Sequence, residues 1–120
     1  MGKIDLSSLE AKRLEVIENL IRASEAGRIE WEALGNSAYY AQANKMAVRV
    51  SVSIHSTTKT GAYKLEIIDS DGDTLDEFIY ADDSQSETGI KMAVLYSMVI
   101  SSMSKERARD LDRFLEDLRA

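Results

Sequence analysis

His55 is the sole histidine and the first residue to examine for chemistry. On an extended segment it shares a side with Ser51 and Ser53, and a Ser–His pair is the nucleus of acyl-transfer catalysis. Such a pair also needs a third group to orient the imidazole, and donors for the oxyanion. No motif here supplies either, so His55 reads as a solvated strand-end histidine. With no cysteine and one histidine, a transition-metal site has no donor set. Asp69-Ser70-Asp71-Gly72-Asp73 alternates carboxylates as a calcium loop does. An EF-hand loop needs Gly at position 6 and a bidentate Glu at position 12. In this chain Gly falls at position 4 and Tyr80 at position 12, so the reading is a solvated hairpin with Asp-Gly at its turn. Gly27, Gly35, Gly61, Gly72 and Gly89 are spaced as punctuation, not as a phosphate-binding loop. The chain is therefore expected to be no enzyme and to carry no cofactor.

Two sets of residues could bind without catalysing. Between Glu66 and Glu87 lie nine acids and no base, in a chain whose net charge is −6, so the remainder is basic on balance. Glu66, Asp69, Asp71, Asp73, Asp76, Asp82 and Asp83 could form an acidic patch that docks a basic partner or imitates nucleic-acid phosphates. The plainer reading is that loops and outward strand positions are charged because they are solvated. Trp31, Tyr39, Tyr40, Tyr63 and Tyr80 could line a ligand pocket. The plainer reading makes them core edge, with Trp31 plugging one end of the core.

The elements that would hold these residues follow from periodicity. Ser7-Ser8-Leu9-Glu10 reads as a capping box opening a helix over about 8–26 that ends at Gly27. Leu14, Ile17, Leu20 and Ile21 form its apolar face. After a bridge over 28–34 come four strands: Ser37–Ala43, Met46–His55, Ala62–Asp69 and Thr74–Ala81. In the second, Met46, Val48, Val50, Val52 and Ile54 alternate with Arg49, Ser51, Ser53 and His55, so one face is buried and one is wet. The fourth is ambiguous, with Leu75 and Ile79 opposed to Phe78 and Tyr80. Ser86 or Thr88 can cap a following helix. Ser101–Ser104 is a poor helix former, so one or two C-terminal helices are expected, with Asp110, Arg113 and Asp117 at ion-pair spacing in the last. The sequence predicts one α+β domain over 1–120: an N-terminal helix, a four-stranded antiparallel meander sheet, and one or two C-terminal helices on one sheet face.

The run Ile90–Met103 carries one stripe of Ile90, Val94 and Met98 and another of Met92, Leu95, Val99 and Met103. It is too short to span a bilayer, and one small sheet cannot cover it as well as the first helix. Self-association through Met92, Leu95, Val99, Met103, Leu111 and Phe114 is the expectation, as a homodimer, because cyclic dimers are the commonest oligomers. Hydrophobic content of 44% and charged content of 30% place the chain among soluble globular proteins. The negative net charge argues against direct nucleic-acid or anionic-membrane binding. No disulfide framework is possible, and the first residues lack the apolar stretch of a secretory signal, so a cytoplasmic location is expected.

The segment Gly27-Arg28-Ile29-Glu30-Trp31, a four-strand meander with Asp71-Gly72 at its last hairpin, and a helix containing Leu95-Tyr96 together resemble small stand-alone bacterial and phage proteins of uncharacterised function. The resemblance covers residues 9–100 and implies no catalytic residues. In size and acidity the chain is also similar to phage-encoded inhibitors of bacterial defence. Three functions follow as expectations: a homodimeric, non-enzymatic protein-interaction module; an acidic inhibitor acting through residues 66–87; and a small-molecule-binding module using the tyrosines and His55.

Overall fold

Alternating valines decide the centre of the molecule. Val48 and Val50, two residues apart on an extended chain, point to one side and are buried there. The computed structural model describes residues 6–35, 37–54 and 61–119. Its elements run α1 (Leu6–Glu25), β1 (Glu32–Ala33), β2 (Ala38–Ala43), β3 (Met46–Ile54), β4 (Gly61–Ile68), β5 (Thr74–Ala81) and α2 (Glu87–Arg119). The strands form one antiparallel sheet in the order β1-β2-β3-β4-β5, so every neighbour in space is a neighbour in sequence. Both helices lie on the valine side.

The inner face reads row by row from the register. Val50 pairs with Leu65, and Leu65 with Phe78, which makes one buried apolar row across three strands. α1 sets Ile17 and Ile21 on this face, and α2 adds Met92, Leu95 and Val99. Each such side chain taken from water contributes roughly 1.5–3 kcal/mol before entropy is counted. Trp31 closes one end at 4% exposure and donates its indole N–H to Ser24 Oγ at 3.0 Å, so its polar edge is satisfied.

The ends of the elements have local causes. Gly27, at φ 70°, terminates α1: its N–H reaches Ser24 O and the Arg28 N–H reaches Ala23 O, which satisfies two carbonyls of the last turn. Ser86 caps α2: its Oγ accepts the Gly89 N–H at 3.0 Å. Asn44 holds φ 59° in the two-residue turn between β2 and β3.

Several expectations change. The sheet has five strands, because the bridge after α1 contributes β1, pairing Glu32 with Tyr40 and Ala33 with Tyr39. There is one C-terminal helix, a single element of 33 residues that runs straight through Ser101–Ser104. Ser7 lies inside α1 and not at its cap, and the Glu10 carboxylate accepts the Tyr80 hydroxyl. The hairpin after β4 is a three-residue loop, closed by Asp69 N–H to Asp73 O at 2.9 Å with Gly72 at φ 88°. β5 turns Asp76, Phe78 and Tyr80 inward, leaving Leu75 and Ile79 on the outer face at 55% and 58% exposure. The shape is also extended. The Cα radius of gyration is 16.8 Å, against about 14 Å for a compact chain of this length.

Candidate functional site

The residues singled out for chemistry are not gathered in one place. His55 lies outside the described residues. The acids scatter along the β4–β5 hairpin. Asp69, Asp71 and Asp73 belong to the loop at one end, where Asp69 Oδ1 accepts the N–H groups of Asp71 and Asp73 at 3.0 and 2.9 Å. Asp82 and Asp83 lie at the other end, about 26 Å away along the strand. There Asp82 Oδ2 accepts the Gly61 N–H at 3.1 Å. Glu66 faces outward and is nevertheless buried, because Arg49 Nη2 sits at 2.7 Å and Lys64 Nζ at 3.6 Å from its Oε1. Lys64 also reaches Glu77 at 3.7 Å.

Asp76 is on the inner face, gripped by Arg13 through Nε at 3.0 Å and Nη2 at 2.8 Å. That two-pronged hydrogen bond holds the Asp76 carboxyl below the usual carboxylate range and raises the Arg13 guanidinium in turn. Residues 66–87 thus divide between two faces and two ends, and several of their charges are already paired inside the molecule.

The tyrosines also separate. Tyr39 and Tyr63 pack on the Tyr96 ring, with centroids at 5.9 and 5.3 Å. Burial pushes the Tyr96 hydroxyl pKa up, and its two ring neighbours add to the shift. Tyr80 stands against Phe78 at 6.5 Å and donates to Glu10. Its pKa is pushed up to about 12, first by burial and then by the Glu10 carboxylate. Tyr40 is on the outer face, opposite Glu32 and Arg49. Tyr39, Tyr40 and Tyr80 each border a different shallow groove. Trp31 is buried in the core, so these five do not line one pocket.

The self-association set divides by burial. Met92, Leu95 and Val99 are all 0% exposed and Met103 packs against the same core, so the protomer itself uses them. Leu111 and Phe114 remain free, at 57% and 59% exposure. They belong to a helical arm. From Ser104 to Arg119 every residue of α2 is exposed. Asp110, Arg113 and Asp117, at ion-pair spacing, make no close pairs, since each ion pair among the described residues lies outside α2.

A longer pattern then emerges on the outward side of α2. Ile90, Val94 and Ser97 are exposed there; Ser101, Ser104 and Ala108 continue the line; Leu111, Leu115 and Leu118 finish it. The intervals alternate four and three without a break, which is the heptad spacing of a coiled-coil seam. At 100° per residue, this seam is turned roughly 170° from the face that packs in the core, where Met92, Leu95 and Val99 lie. It is therefore a second, exposed face of the same helix. The sequence places Leu115 and Leu118 with Ala108, Leu111 and Phe114 on one apolar side after Met103, but does not join them to Ile90 and Val94, because Ser97, Ser101, Ser104 and Ala108 between them carry little hydrophobic signal. The only cue was the 4-3 spacing itself, read through serines.

Compared with known proteins, the chain matches no family model, no curated sequence and no solved structure. Among the described residues no helix is long and apolar enough to cross a membrane.

Proposed function

We propose that this protein is a non-enzymatic interaction module whose binding element is the outward face of α2, and that it docks a helical protein surface there. The observation that carries the reading is the exposed 4-3 seam from Ile90 to Leu118 on a helix whose opposite face is fixed in the core. A seam of small and apolar residues held out on a preformed helix loses little conformational entropy on binding, because the part of the helix packed in the core has already ordered it. Helical partners recognise such faces through i, i+3, i+4 and i+7 anchors, and Leu111, Leu115 and Leu118 supply that spacing. The acidic-inhibitor reading is weaker, because Glu66 and Asp76 are paired within the chain and the loop acids sit at opposite ends.

The test is site-specific photocrosslinking in producing cells. A photoreactive residue in place of Ser104 is expected to capture protein in an adduct of one defined mass. The same residue in place of Arg113, on the far side of the arm, is expected to capture none. Equal capture from both positions, or none from Ser104, would overturn the reading.

A further inference from the structure

Resting on that reading, we infer that the partner is a second copy of this chain, laid antiparallel along the arm with Ala108 of one copy facing Leu111 of the other. The seam is large at its tip, where Leu111, Leu115 and Leu118 lie, and small towards the head, where Ser101, Ser104 and Ala108 lie. Two such arms fit best head to tail. In this register Ser101 meets Leu118 of the second copy, Ser104 meets Leu115, and Ala108 meets Leu111, each twice by symmetry. Every layer then joins one small and one large side chain, which keeps the two axes evenly spaced and leaves no void. A parallel pair stacks leucine on leucine at the tips and serine on serine near the heads, so the helices are held apart at one end and underpacked at the other.

Charge selects the register among the antiparallel choices. The residues flanking a seam decide orientation and pairing in coiled coils. Here Lys105 comes beside Asp112 of the second copy, and Arg107 comes over the Phe114 ring, again twice each. None of these side chains has an ion-pair partner in the protomer among the described residues. Sliding the arms one heptad closer to the heads brings Lys105 onto Lys105, Arg107 onto Arg107 and Lys91 near Arg119, all like-charge encounters. The isologous contact is closed, so the assembly stops at two.

The chain has no cysteine, so introduced thiols report cleanly. Carried on the full chain, Ser101→Cys with Leu118→Cys is expected to oxidise to a covalent dimer of twice 13.4 kDa, whereas Ser101→Cys alone is expected to give none. A cross-link from Ser101→Cys alone indicates parallel arms, and one from Ser101→Cys with Leu111→Cys in preference indicates the slid register; either overturns the inference. Lys105→Asp is expected to raise the dimer dissociation constant several-fold in sedimentation, and adding Asp112→Lys to restore it. No restoration would also overturn it. If the unmodified chain sediments as a monomer at high micromolar concentration while Ser104 photocapture yields a different protein, the second copy is excluded and the docking surface stands. If Ser104 captures nothing, both fall.

Discussion

Tyr80 places a phenol between a carboxylate and an apolar ring, and that position makes the fold sensitive to alkali. Its pKa stands near 12, while an unfolded tyrosine ionises near 10. The native state therefore holds the proton more tightly. The stabilisation is fully present below pH 10 and is lost as pH rises from about 10 to 12. Tyr80→Phe should lower stability at neutral pH by about 1 kcal/mol, the worth of a lost hydrogen bond to Glu10. It should also flatten the decline above pH 10, leaving the smaller slope from Tyr96, whose hydroxyl is shifted the same way. Urea unfolding at stepped pH reads both effects, and an unchanged alkaline slope would contradict the Tyr80 assignment. Asp76 acts in the opposite direction. Its depressed pKa gives stability present above the ordinary carboxylate value and lost as pH falls through the native one. Asp76 also lies on an edge strand and points inward, a placement that discourages a further strand from pairing with β5.

At the scale of elements, the two halves of α2 do different work. Up to Met103 the helix is bound to the sheet through Met92, Leu95 and Val99; beyond it nothing is buried. A chain ending at Ser104 should therefore keep the melting temperature of the full chain within a few degrees, measured where the full chain is monomeric. It should lose only the helical signal of the arm in circular dichroism. A collapse of the cooperative transition would show that the arm supports the head. This division explains what was legible beforehand. Period-2 alternation in Met46–Ile54 marks the central strand, and the turn residues on either side of Thr74–Ala81 mark the bounds of β5. β1 was not legible, since two residues carry no period and its pairing depends on where Tyr39 and Tyr40 arrive. The continuity of α2 was hidden because Ser101–Ser104 has poor helix propensity, which an anchored helix overrides. Which stripe of Ile90–Met103 faces the core was undetermined by periodicity, since both have helical spacing. Only the position of the sheet separates Leu95 from Val94.

At the scale of the whole molecule, the proportions become a measurement. One protomer extends 70 Å along its longest axis, and the arm from Ser104 to Arg119 is about 24 Å of helix. The antiparallel register overlaps two arms from Ser101 to Leu118, about 27 Å of helix. The heads are then pushed to opposite ends, and a dimer of two 70 Å protomers sharing that overlap spans about 110 Å. A parallel dimer keeps both heads at one end and stays near the 70 Å of a single protomer, only thicker. Small-angle scattering separates these outcomes without any substitution: a maximum dimension near 110 Å with a two-lobed distance distribution is expected. The lobes follow from the same seam, because small side chains near the head and large ones at the tip complement each other only when the chains run in opposite directions. If the dimer instead scattered as one thick rod of protomer length, leucine would be packing on leucine. The grading from small side chains near the head to large ones at the tip of α2 would then have no structural work to do.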